Sequence, residues 1–325
     1  MAYTTVNKSS LFMNPKLYTG NGAASHAITG VGFQPDWVWL KNRSGADNNS
    51  LNDVVRGANK NLVSNNANAE DTTTDQLMSF NTDGFTVGAS GSANTNGNNF
   101  VSWNWKAGTA VSGNTSGSGA YKTYTGSVNT TSGFSIIKYT GNGTAGHTIP
   151  HRLGVAPKMI IVKALSTNDD WMVGHISVGF NQFMILNSNT RDATGTQWNS
   201  TNPTSSVFSI GSNNNMNQNG NNFIAYCFAN VRGFSQFGGY TGNNNTDGPF
   251  INTGFKPAWV MVKKVSGANH WIIWDDKRST KDGFNIIDRK LYANLNNAEN
   301  GDNDISFFSN GFKFNTNTGD WNENE

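Results

Sequence analysis

Charge is what this sequence has least of. Lys, Arg, Asp and Glu make up 14% of its 325 residues, where a soluble domain ordinarily carries about 25%. The formal net charge is +2 and no run of Lys or Arg occurs. Bulk neutralisation of phosphates, the basis of nucleic-acid binding, is therefore excluded. A single cysteine, Cys227, leaves nothing for it to pair with inside the chain, so this is no disulfide scaffold. No apolar run approaches the length of a membrane-spanning helix, and no membrane insertion is expected. The opening segment, Met1 to Lys8, has neither the charged nor the apolar region of a secretory signal.

Aromatics and glycine are abundant instead. Aromatic residues reach 12%, with 10 Trp and 20 Phe, and there are 36 Gly. Disorder goes with few aromatics and high net charge, so the chain is expected to fold. Its polarity comes mainly from Asn, Ser and Thr. That composition suits an outside-facing protein, yet no export signal is visible. A particle assembled in a host cytoplasm and released by lysis would reconcile the two, as would a dedicated secretion system.

Three repeats organise the sequence. Tyr18-Thr-Gly-Asn-Gly22 recurs as Tyr139-Thr-Gly-Asn-Gly143 and Tyr240-Thr-Gly-Asn-Asn244. Each copy leads to a Gly-x-x-Pro step and then an apolar run: Pro35 before Trp37–Leu40, Pro157 before Met159–Val162, Pro257 before Trp259–Val262. Further on, Asn98-Asn99-Phe100-Val-Ser-Trp103-Asn-Trp105 matches Asn221-Asn222-Phe223-Ile-Ala-Tyr226-Cys227-Phe228. The third copy has Phe307-Phe308-Ser-Asn-Gly311-Phe312 but no counterpart of that closing segment.

Short runs of Trp, Val, Ile and Phe bounded by Gly, Pro and Asn are the signature of strands. Phe134–Ile137, Trp171–Val173, Phe183–Leu186 and Trp271–Trp274 join the runs already named. The three post-proline runs are apolar throughout, as for central strands covered on both faces. Leu51, Val54, Val55, Ala58 and Leu62 have helical spacing, and Ile287–Leu295 is a second helix candidate, but the evidence for helix is thin. The expected fold is all-β: three tandem antiparallel β-sandwiches, jelly-roll-like, over 1–108, 120–231 and 232–325, the third lacking its closing strand. Residues 109–119 have the Gly/Ser/Thr composition of a linker. The second joint, Ala229 to Gly239, contains Phe234 and Phe237 and reads as packed.

At these motifs the chain resembles a family of virion structural or tail-associated proteins from marine bacteriophages. The resemblance is carried by Met-Ala-Tyr-Thr-Thr-Val at 1–6, Lys-Leu-Tyr-Thr-Gly-Asn-Gly at 16–22, Gln-Pro-Asp-Trp-Val-Trp-Leu-Lys at 34–41 and Val-Arg-Gly-Ala at 55–58. It continues through Pro-Thr-Ser-Ser-Val-Phe-Ser at 203–209, Tyr-Cys-Phe-Ala at 226–229, Thr-Gly-Phe-Lys-Pro-Ala-Trp-Val at 253–260 and Asp-Asp-Lys-Arg at 275–278. It implies a virion part and no defined activity.

Candidates for chemistry are few. Gly141-Asn-Gly143-Thr-Ala-Gly146 matches the dinucleotide pattern Gly-x-Gly-x-x-Gly, but His147-Thr-Ile-Pro150 is a poor helix start and a turn is expected. His26 and His147 share a repeat position that Gly248 takes in the third copy; no further ligands recur beside them, so no metal site is expected. His151, His175 and His270 are isolated. Asp169, Asp170, Asp275 and Asp276 are adjacent pairs, which point to opposite faces of a strand and do not make a glycosidase couple; they read as solvated strand ends. Cys227 reads as an ordinary strand position.

Trp37, Trp39, Trp103, Trp105 and Trp259 read as core. Trp171, Trp198, Trp271 and Trp321 lie beside polar loops, and the first three are the candidate glycan-stacking residues. The expected function is non-enzymatic: a phage virion structural protein for surface display or adhesion, as a tail fibre, appendage or capsid decoration. The competing readings are a lectin-like receptor-binding protein for host surface glycans, a polysaccharide depolymerase and an extracellular filament subunit. Expected partners are further copies of the chain (a trimer in a fibre, with strand exchange at the third repeat) and other virion proteins. No cofactor is expected.

Overall fold

A computed structural model describes residues 4–191, 193–281, 284–302 and 304–324. The runs after Pro35, Pro157 and Pro257 form the strands Trp37–Asn42, Met159–Ala164 and Trp259–Val262. Successive side chains on a strand point to opposite faces, and here each face meets a different apolar partner. Val38, Ile160 and Val260 pack inside their own repeat, against clusters that include Phe85, Phe208 and Phe314 respectively. Trp37, Trp39, Met159 and Ile161, with Trp259 and Met261 at its margin, pack into one central core that all three repeats share. The unbroken apolar runs thus record burial on two sides.

The fold is all-β, and every repeat has two antiparallel layers. In the first repeat the inner sheet runs Met13–Thr19, Asn99–Trp105, Trp37–Asn42, Ser50–Asp53, Lys60–Val63, Asp71–Thr72. In the second it runs Thr109–Asn114, Thr123–Asn129, Phe134–Thr140, Asn222–Phe228, Met159–Ala164, Met172–His175, Gln182–Ile185, Ala193–Thr194. In the third, among the described residues, it runs Trp259–Val262, Ile272–Asp275, Lys290–Tyr292. The outer layers are built on His26–Thr29 with Gly84–Val87, His147–Pro150 with Val207–Ile210, and Phe250–Asn252 with Gly311–Phe314.

The recurrent Tyr-Thr-Gly-Asn segment has one mechanical job. The hydroxyls of Tyr18, Tyr139 and Tyr240 donate to the carbonyls of Ala93, Met216 and Trp321 at 2.6, 2.8 and 2.6 Å. The side-chain oxygens of Asn94, Asn217 and Asn322 accept from the backbone N–H of Asn21, Asn142 and Asn243 at 2.9, 2.8 and 2.9 Å. The glycine between them lets two backbones touch: a Cβ at Gly20, Gly141 or Gly242 would lie 2.2, 2.5 or 2.1 Å from a carbonyl oxygen. The dinucleotide-like pattern at Gly141–Gly146 belongs to this clamp, and a strand follows it, so it is a turn.

Three expectations need correction. Residues 109–119 are no linker: Thr109–Asn114 pairs along its whole length with Thr123–Asn129, and Ser116–Gly117 pairs with His147–Thr148. The strand Thr109-Ala-Val-Ser-Gly-Asn114 is mostly exposed, and its small residues, with Val111 alone packing on the outer core, do little to reveal it. The helical spacings at Leu51–Leu62 and Ile287–Leu295 are strands joined by turns; α-helix among the described residues is confined to Gly91–Asn94 and Asn214–Asn217. Trp259–Val262 is also no central strand: among the described residues it pairs with Ile272–Asp275 alone and forms a sheet edge. The second joint packs: Phe234 meets Phe12 edge-on at 6.2 Å and Phe237 lies 5.9 Å from Phe228.

Candidate functional site

The three proposed glycan-stacking residues are buried, which corrects that assignment. Trp171 and Trp198 have 0% and Trp271 3% of their surface exposed. Trp198 fills the outer core of the second repeat, edge-on to Phe180 at 5.5 Å. Trp171 and Trp271 point into the central core. A sugar needs an open ring face, and none of the three offers one. Trp171 and Trp271 stand directly before the strands Met172–His175 and Ile272–Asp275, where the chain turns inward from its polar loop, and Trp198 lies in a turn that folds onto the outer core.

Trp171 and Trp271 instead close a ring of contacts. The Trp171 indole N–H donates to the carbonyl of Val63 at 2.9 Å, from the second repeat to the first. Trp271 does the same to Ile185 at 2.9 Å, from the third to the second. The equivalent position in the first repeat is Asn49, whose amide donates to Tyr292 at 3.2 Å and Leu295 at 2.8 Å in the third. Val63, Ile185 and Tyr292 hold the same register, opposite Ser50, Met172 and Ile272. The three sandwiches are thus linked cyclically, each to the next in one sense.

A second set of contacts runs in that sense. Asp53 in the first repeat and Asp275 in the third each hold an arginine three residues on, with Arg56 Nε at 2.5 Å and Arg278 Nε at 2.6 Å. Arg56 reaches Glu70 and Arg278 reaches Glu299, at 3.2 and 2.8 Å. Neighbouring carboxylates outweigh the desolvation of both guanidiniums and hold them charged. The closing strands then donate into these pairs. Tyr226 OH meets Asp53 Oδ2 at 2.7 Å, and Trp103 Nε1 meets Asp275 Oδ2 at 2.8 Å. Arg278 also lies over the Trp103 ring at 5.6 Å.

Asp275 is therefore 0% exposed, not the solvated strand end expected of it. The signal for it was in the sequence: Asp53, His175 and Asp275 stand at one spacing after Pro35, Pro157 and Pro257, and arginine follows the two aspartates.

His175 occupies that position in the second repeat, opposite Met159 as Asp53 is opposite Trp37. Burial lowers its pKa to about 4. It packs against Phe237 at 6.3 Å, and no closing-strand aromatic reaches it among the described residues.

The remaining titratable candidates form no reactive constellation. His26 Nδ1 lies 2.9 Å from Asn94 Oδ1, and His147 Nδ1 lies 2.7 Å from the Asn142 amide, both within the clamp. His151 is buried between the Thr204 carbonyl and the Leu153 N–H, and desolvation lowers its pKa to about 4. Burial pushes the Cys227 thiol up to about 12. Asp170 accepts from the Asn187 amide at 2.7 Å, and Asp169 accepts from the Thr167 hydroxyl. No group of three or more His, Cys, Asp or Glu able to hold a metal ion occurs among the described residues.

Residues 8–325 match a family described as a domain of unknown function (DUF7483), and the chain belongs to that family. No curated protein and no solved structure matches the chain.

Proposed function

We propose that this member of the DUF7483 family is a non-enzymatic structural protein of a bacteriophage particle, serving surface display or adhesion as a tail appendage or capsid decoration. What supports the reading is the resemblance of motifs along the whole sequence to those of phage virion proteins, together with the part several of them play in the fold. The Tyr-Thr-Gly-Asn segments form clamps, the post-proline runs face the shared core, and Asp275–Arg278 joins two repeats. These residues build and lock a three-part body. Uncharged loops such as 21–25 and 243–246 are exposed, which suits a displayed surface. Copies of the chain and other virion proteins are its proposed partners, and the particle surface its proposed location.

The lectin-like alternative has lost its stacking residues, since Trp171, Trp198 and Trp271 are buried. Mass spectrometry of purified particles, with antibody labelling in electron micrographs, tests the proposal. The chain is expected in stoichiometric amounts on the particle exterior. Its recovery only from host lysate, with none on particles, would overturn the reading.

A further inference from the structure

In the two complete repeats one strand lies between two others. Asn99–Trp105 sits between Met13–Thr19 and Trp37–Asn42, and Asn222–Phe228 sits between Phe134–Thr140 and Met159–Ala164. The third repeat has the flanking parts in place. Tyr240 is docked on the Trp321 carbonyl like Tyr18 and Tyr139 on theirs, and Trp259–Val262 pairs with Ile272–Asp275. Among the described residues no strand lies between them.

Three separate features line this position. The first is the edge of Trp259–Val262, which no second strand pairs with among the described residues and whose backbone groups are a template for another strand. The second is Tyr240. Tyr18 stacks on Phe100 at 5.1 Å and Tyr139 on Phe223 at 5.3 Å, with rings near parallel. Tyr240 makes no such stack among the described residues; its ring contact there is a tilted one with Phe314. The third is His175, which stands where Asp53 and Asp275 receive the Tyr226 hydroxyl and the Trp103 indole. The second residue of the closing strand serves the tyrosine and the fifth serves the acceptor, so one strand would satisfy all three.

We infer that the edge of Trp259–Val262 is an acceptor groove for one further antiparallel strand, supplied by a separate partner polypeptide. Its chemistry follows from the two occupants already seen. Phe100 and Phe223 call for an aromatic second residue that faces the outer core and Tyr240. Val101 and Ile224 call for an aliphatic third residue facing the central core, and Ser102 and Ala225 for a small fourth. Trp103 and Tyr226 call for an aromatic hydrogen-bond donor at the fifth, opposite Met261 and aimed at His175. Trp105 and Phe228 call for an aromatic seventh, opposite Trp259. Edge-to-edge pairing of two copies fits less well, because Tyr240 and its neighbours stand on the far side of the groove, as the outer flanking strand does in the complete repeats. The inference does not depend on where the protein resides.

The test uses the 325-residue chain and a synthetic peptide with the sequence of residues 219–229 bearing Cys227→Ser. Titration calorimetry and hydrogen exchange are expected to give one peptide per chain, with new amide protection at Trp259–Val262. The variant Ala258→Pro probes the edge directly. The equivalent N–H groups of Asp36 and Lys158 donate to Trp105 and Phe228 at 2.8 and 2.7 Å, while Ala258 is exposed. Losing that donor should weaken the peptide by about tenfold and leave the melting temperature of the free protein unchanged. Replacing the peptide's tyrosine by phenylalanine should weaken binding and abolish any perturbation of the His175 ring resonances. No binding, equal binding of a scrambled peptide, or binding indifferent to Ala258→Pro would overturn the inference. So would self-association that already protects Trp259–Val262 before peptide is added.

Discussion

The Trp103 indole N–H donates to Asp275 at 2.8 Å, joining the first repeat to the third between two residues that are fully buried. Asp275 also holds Arg278, whose guanidinium lies over the same indole. Each partner answers the desolvation of the next. Removing one leaves a buried charge without compensation, which ordinarily costs about 3–5 kcal/mol. Asp275→Ala should lower the unfolding free energy by that order in urea titration. Trp103→Phe, which keeps the ring and loses the donor, should cost about 1–3 kcal/mol. A double-mutant cycle that returns no coupling between Trp103 and Asp275 would contradict the network.

A core shared by three repeats should melt as one body. Differential scanning calorimetry is expected to show a single transition, and residues 1–108 alone should not reach a native fold, because Trp37, Trp39 and Trp103 would face water. Three resolved transitions, or a well-dispersed NMR spectrum from the isolated first repeat, would speak for independent domains.

Trp171 and Trp271 should behave as structural keystones. Replacing either with alanine should cost about 3–5 kcal/mol and increase dye binding to exposed apolar surface. Neither change should alter a glycan-array profile except through the amount of folded protein. A variant of full stability with altered glycan binding would restore the stacking role.

Two histidines held neutral by desolvation predict an acid-sensitive stability. Burial lowers the pKa of both His151 and His175 to about 4, below the about 6.5 of an unfolded histidine. The unfolded chain therefore binds more protons in this window. Stability is complete above about pH 6.5 and falls as the pH drops towards 4. Each histidine should contribute a loss of about 2 kcal/mol between pH 7.5 and 5. His151→Gln should flatten its share of the urea-midpoint curve; an unchanged slope would contradict the assignment.

Cys227 should be inert in the native protein. Its thiol, fully buried and pushed up to about 12, should not react with a disulfide reagent at pH 8 and should react fully in denaturant. Rapid native labelling would show that the second closing strand opens.

The sequence carried much of the local structure and little of the assembly. The runs at Trp37–Leu40 and Met159–Val162 announce strands buried on both faces, because an unbroken apolar run leaves no face for water. They do not say that the second face belongs to other repeats. Trp171 follows Asn168-Asp169-Asp170 and so reads as a loop-edge residue; only the arrival of Val63 from another repeat explains its burial. Asp275 is hidden for the same reason, since its solvent is replaced by Arg278 nearby and by Trp103 from far along the chain. Thr109–Asn114 was misread because Gly, Ser and Thr serve a mobile linker and an exposed strand equally well.

The cyclic contacts fix the number of repeats. Solenoid arrays grow by adding units, since every unit touches only its neighbours along the line. Here Asn49 of the first repeat is engaged by Tyr292 and Leu295 of the third, so both ends of the series are spent on each other. A fourth repeat spliced between them would have to part that contact and reopen the common core.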